Sequence, residues 1–232
     1  MIKGYISLMK INLRKINFRK STLRYLTIFV GLFIVANGIV FTINANLGVN
    51  PWDVLHIGIA YQTGLSIGRV IQAIGLLLVT VSYFFGVKIY VGTVLNMISL
   101  GLFVDLTINC GYIPVSVVSW QQILLYIMGV FLFGLGTAIY ISANLGAGPR
   151  DSLMFALTNA TSMRVGNIRT ILEITVATIG FFLGGPLGIG TVIFALTIGA
   201  FMELGFSIIS RIKITAAFKR LWEGSARHIR GL

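Results

Sequence analysis

The residues best placed to do chemistry are two aspartates in one repeated turn. The segment Ala45-Asn46-Leu47-Gly48-Val49-Asn50-Pro51-Trp52-Asp53 returns 98 positions later as Ala143-Asn144-Leu145-Gly146-Ala147-Gly148-Pro149-Arg150-Asp151. Gly48 and Gly146 stand where a helix C-terminus accepts a left-handed residue. Pro51 and Pro149 suit a first helical position, where no backbone donor is needed. Asp53 and Asp151 then fall near the third helical position. A carboxylate there accepts from free amides and meets the positive end of the helix dipole. Two roles follow for each aspartate: capping its own helix, or contacting a substrate or coupling cation. Asn46 and Asn144 carry the same pair of readings, bonding the loop backbone or serving as ligands.

Three further acids lie in apolar surroundings. Asp105 and Glu203 are partners under the same 98-residue offset, and each follows a glycine (Gly101, Gly199) by four residues. Small residues let helices approach closely, so these carboxyls sit beside a helix seam, either as interface groups or in a gating or proton role. Glu173 has Arg169 four residues before it on the same helical face, which makes a local neutralising pair or a titrating group. The two histidines, His56 and His228, and the single cysteine, Cys110, make no metal site at ligand spacing. There is no phosphate loop and no nucleophile elbow. No enzyme, cofactor or metal is expected.

The elements that must hold these residues are membrane helices. Hydrophobic residues make up 56% of the chain and charged residues 10%, where a soluble domain carries about 25% charged, and the mean hydropathy is +0.94. Six apolar runs are long enough to span: about 25–44, 67–86, 91–110, 122–142, 168–184 and 190–210. Between the first and second run of each half lies a short helix, Trp52–Tyr61 or Arg150–Asn159. At 1.5 Å per residue it reaches only about 15 Å. It either re-enters the membrane in a protein-lined cavity or lies along the interface.

The duplication is long. Residues 31–106 lie over 129–204 without a gap, with 22 of 76 positions identical, so it is half a fold and not a solenoid unit. The expected fold is all-α: a polytopic membrane protein of six transmembrane helices, built as two three-helix repeats. The expected division is a basic interfacial segment at 1–24, a first membrane repeat at 25–110, an external linker at 111–121, a second repeat at 122–210 and a basic tail at 211–232.

Charge orients the halves. The net charge is +12, yet its placement argues against nucleic acid. Lys3, Lys10, Arg14, Lys15, Arg19, Lys20 and Arg24 precede the first span. Arg211, Lys213, Lys219, Arg220, Arg227 and Arg230 follow the last. Such flanks mark the cytoplasmic side and suit anionic headgroups. With both ends inside, Lys88, Arg150 and Arg164 are cytoplasmic, while the loops near 111–121 and 185–189 carry no charge. Three spans per half is odd, so the second repeat inserts upside down, as in many transporters.

The six-span duplication, with Ala-Asn-Leu-Gly-x-x-Pro-x-Asp in both halves and Gly-Thr-Val opening the third span of each (92–94 and 190–192), resembles the YitT/YczE type of bacterial integral membrane proteins, over about 25–210. The chain resembles the short form, without a C-terminal soluble domain. The resemblance implies a bacterial cytoplasmic membrane location and suggests transport; it carries over no binding residue. The expectation is a secondary transporter or exporter of a small solute, working by alternating access around the paired Pro-x-Asp elements. The alternatives are a non-transporting scaffold or regulatory factor for a partner protein, and a dual-gated channel. A homo-oligomer is compatible with the sequence.

Overall fold

A computed structural model describes residues 18–161 and 163–229, with side chains over 22–161 and 163–211. The basic segment at 1–24 therefore lies mostly outside the described residues. Among the described residues eight helices follow one another: α1 (Phe18–Asn44), α2 (Pro51–Thr63), α3 (Ile67–Phe84), α4 (Val91–Cys110), α5 (Ser119–Ser142), α6 (Pro149–Thr161), α7 (Val165–Phe182) and α8 (Ile189–Ile229). Among the described residues there is no strand. Six of these described helices are long and apolar enough to cross a membrane, over Thr22–Asn44, Ile67–Phe84, Val91–Cys110, Ser119–Ser142, Val165–Phe182 and Ile189–Arg211. Each lies on one of the six apolar runs. Helix α8 continues through the basic tail to Ile229.

The centre of the fold is the crossing of α1 and α5, where four glycines remove the side chains that would hold the backbones apart. A Cβ on Gly31 would stand 2.9 Å from the Gly136 carbonyl oxygen, and one on Gly38 would stand 2.7 Å from that of Gly129. Residue number rises along one helix as it falls along the other, so the helices run antiparallel. Gly31 and Gly129 are repeat partners, as are Gly38 and Gly136. The contact is thus its own counterpart under exchange of the halves.

The short helices cross between the halves. Helix α2 packs on α7, and its repeat counterpart α6 packs on α3. Their shared apolar core contains Leu55 with Leu153 and Leu78 with Val176, each pair being repeat partners, around Trp52. Nine residues of α2 are buried, including Asp53 and His56. A helix laid along a bilayer surface would leave one face uncovered; α2 is instead inserted into the protein.

The halves differ at one seam. Between α3 and α4, Gly68 and Gly101 face each other so closely that a Cβ on either would overlap the other's carbonyl. Asp105 closes that seam, accepting from Ser66 Oγ at 2.6 Å and from the Gly68 amide at 2.8 Å. Between α7 and α8 the counterparts Gly166 and Gly199 have nothing within 4 Å of where a Cβ would stand, and Glu203 is exposed.

Candidate functional site

The repeated turn is built by two motifs that lock across the halves. Asn46 and Asn144 take left-handed backbone angles (φ 54° and 55°), with Gly48 and Gly146 at φ 101° and 132°. The left-handed step directly after each long helix thus falls on the asparagine, which tolerates it, two residues before the expected glycine. The freed carbonyls are taken up by the other repeat. The Gly190 amide donates to the Leu47 oxygen at 2.7 Å, and the Gly92 amide donates to the Leu145 oxygen at 3.0 Å. Gly48 and Gly146 allow this docking: a Cβ on Gly48 would meet Gly188 at 2.7 Å, and one on Gly146 would meet the Tyr90 Cβ at 2.6 Å. The Ala-Asn-Leu-Gly element of each half therefore seats on the Gly-Thr-Val element of the other.

The turns then start α2 and α6 with their N-termini facing one another. Pro51 and Pro149 open the helices as expected. Asp53 is fully buried, but it does not cap α2. That task falls to Asn50, whose Oδ1 accepts from the amides of Trp52 at 2.9 Å and Asp53 at 3.1 Å. The Asp53 carboxylate instead gathers side chains. Asn50 Nδ2 donates to it, His56 Nδ1 lies 3.1 Å away, and Arg150 Nη2 reaches across from α6 to 3.5 Å. The same guanidinium lies over the Trp52 ring, 5.2 Å from its centre, a cation–π arrangement that fixes its plane. Asp151 stands at the third position of α6, near the Gly148 amide.

A cavity of about 430 Å³ opens beside this meeting point. Its wall carries Asn50, Asn96, Arg150 and Asp151, together with Arg169 and Glu173 on α7 and a largely apolar remainder that includes Trp52, Phe133 and Phe194. Val165 and Gly166 of α7 and Met202 of α8, on the two sides of the parted seam, also line it. Arg169 and Glu173 form the expected pair at 2.8 Å. Gly48, Gly146, Asp105 and Glu203 lie away from the cavity wall, and so do Asn46 and Asn144. Among the described residues, no cluster of His, Cys, Asp and Glu suits a metal ion.

Sequence reasoning missed Asn96, His56 and Arg150 as members of this site. Asn96 stands where its repeat partner is Phe194, and Arg150 where its partner is Trp52. Polar residues that break the repeat inside apolar runs were the available signal.

Comparison with known proteins places the chain among membrane proteins. A family model described as a family of unknown function (DUF6198) matches residues 22–206. The chain is 37% identical over 194 residues to the uncharacterized membrane protein YczE of Bacillus subtilis, covering 83% of this chain and 88% of that one. It is 36% identical over 194 residues to an uncharacterized protein of Haemophilus influenzae, covering 82% of this chain and 88% of the other. An uncharacterized protein of Bacillus subtilis, YyaS, is 27% identical over 195 residues. No solved structure matches. The match spans α1 to the apolar part of α8, including both copies of the turn, and the chain belongs to this DUF6198 family of YczE-type membrane proteins.

Proposed function

We propose that the protein is a secondary transporter or exporter of a small solute, in which two inverted repeats alternately open one central cavity to each side of the bacterial cytoplasmic membrane. One observation carries this reading: the same seam is closed in the first half by Asp105 and parted in the second, where residues of both its helices line the cavity. Two halves of one design, held in opposite conditions, are what alternating access requires. With both ends cytoplasmic, the closed α3–α4 seam faces outward and the parted α7–α8 seam faces inward. Exchange of the two conditions gives the outward-open state. Glu203 then approaches the start of α7 as Asp105 now caps α3, with Arg164 in the place of Ser66. Asp151 and Glu173, both in the cavity wall, are the candidate carriers of a coupling proton or cation. The basic ends hold anionic headgroups.

The test uses a single cysteine at the cavity wall, Thr137→Cys with Cys110→Ser, and a membrane-impermeant maleimide. Labelling is expected from the cytoplasmic face in inverted vesicles and from the outer face in intact cells. An added Arg164→Cys/Glu203→Cys cross-link is expected to stop the first and spare the second. Labelling confined to one face under every condition sinks alternating access and leaves a scaffold. Labelling from both faces together with ion conductance points to a dual-gated channel.

A further inference from the structure

Helix α6 starts without the cap that its counterpart α2 possesses. In α2 the Asn50 Oδ1 takes the amides of Trp52 and Asp53. The corresponding residue before α6 is Gly148, and the equivalent amides, those of Arg150 and Asp151, have no acceptor among the described residues. The room that an asparagine side chain would fill is present. A Cβ on Gly148 would meet its nearest neighbours, Asn96 Nδ2 and the Tyr140 hydroxyl, only at 3.5 Å.

Two side chains bring unused donors to the same place. Asn96 is 7% exposed and lines the cavity, and its side chain makes no hydrogen bond among the described residues. Arg150 Nη2 is buried and has no hydrogen-bond partner, its nearest carboxylate oxygen being the one 3.5 Å away on Asp53. Leaving buried donors unmet is costly. Two helix amides, a carboxamide and a guanidinium with its plane fixed by Trp52 form a donor set for an anion, at the positive end of a helix of 13 residues.

We propose that this is a carboxylate subsite: one oxygen of the ligand takes the place that Asn50 Oδ1 occupies in α2, and the other faces Arg150. The rest of the wall is largely apolar and aromatic, with Leu32, Val35, Leu100, Phe133 and Phe194 in it, so the ligand class is a small monocarboxylate with an apolar or aromatic body. The nearby acids do not oppose it equally. Glu173 is committed to Arg169, and Asp53 accepts from Asn50 and faces His56, so at 3.5 Å it shares the Arg150 guanidinium with the ligand carboxylate without forming a hydrogen bond to it. Asp151, at the start of α6, is the group that an ammonium would seek instead, and the test separates the two. This assignment rests on the transport reading for its physiological role; binding does not depend on it.

The experiment follows the thermal stability of the full-length protein in detergent, titrated with benzoate and hexanoate and, in parallel, with benzylamine and hexylamine. A ligand bound by the native state alone raises the apparent stability. The carboxylates are expected to raise it and the amines of like shape to leave it unchanged. Gly148→Asn, which restores the missing cap, is expected to weaken benzoate about tenfold or more, one charge-assisted contact corresponding to about that factor, without lowering the melting temperature of the free protein. Gly148→Ala, whose Cβ fits the space, is expected to keep the response, and Arg150→Gln and Asn96→Leu to lose it. Stabilisation by the amines alone, no response to either carboxylate, or a wild-type benzoate response in Gly148→Asn would overturn the subsite. Benzoate binding without benzoate flux into vesicles would instead remove the transport reading and leave the subsite standing.

Discussion

At the residue scale, Asp53 and Asp151 show how one motif acquires two jobs. Three of the differences around them set their partners: Asn50 against Gly148, Trp52 against Arg150 and His56 against Met154. Asn50 takes over the cap in α2 and frees the Asp53 carboxylate for His56 and Arg150. Removing that carboxylate leaves Asn50, His56 and Arg150 without their shared acceptor. Asp53→Leu is therefore expected to cost about 3 kcal/mol, since a buried donor or charge stripped of its partner carries its full desolvation cost. Asp53→Asn keeps an acceptor and is expected to cost less. Glu173→Gln removes one end of a pair whose Arg169 side chain is 47% exposed, and solvent screens such a pair to within about 1 kcal/mol. Equilibrium unfolding in mixed micelles orders the three; equal losses for Asp53→Leu and Glu173→Gln would show that Asp53 anchors nothing.

At the element scale, the two seams make opposite demands on equivalent glycines. Gly68→Ala drives a methyl into the Gly101 carbonyl and the Asp105 carboxyl. It is expected to cost about 1–3 kcal/mol, the usual range for overpacking a tight contact, and to free Asp105 from the start of α3. Gly166→Leu meets open space and is expected to leave stability within about 0.5 kcal/mol, as substitutions at unencumbered surface positions do. It should still obstruct closure of α7 on α8, so that labelling of Thr137→Cys from outside falls while labelling from the cytoplasmic side persists. Normal outside labelling in Gly166→Leu would mean that this seam never closes. The spans themselves were legible, because runs such as 91–110 and 190–210 are apolar for about the length a membrane requires. The repeat also placed both turns and both short helices. Two things were not legible. The docking of Leu47 on Gly190 joins residues 143 apart in sequence, and no local pattern pairs them. The partial opening of one half is a difference in packing between near-identical elements, which their shared sequence does not encode.

At the scale of the whole molecule, the structure changes the weight of the charges that orient it. Arg150 served as a cytoplasmic loop charge in the sequence; here it is three-quarters buried and engaged with Asp53 and Trp52, so it belongs to the site and says nothing about sidedness. Lys88 and Arg164 remain exposed, and the stretch from Gly111 to Val118 carries no charge. The orientation therefore rests on those two residues and the basic ends. In a Cys110→Ser background, Val117→Cys is expected to react with an impermeant maleimide in intact cells, and Lys88→Cys only in inverted vesicles. One span, α4, separates those positions, so equal accessibility would mean that α4 does not cross. Arg164→Cys decides the relation between the halves. If α6 is inserted but does not traverse, residue 164 stays on the side of Lys88, the halves carry three spans each, and the second is inverted. If α6 traverses, Arg164→Cys reacts from the same side as Val117→Cys; with α2 traversing as its counterpart, the halves are parallel, both basic ends lie on that side too, and the equivalent seams gate one face instead of opposite ones.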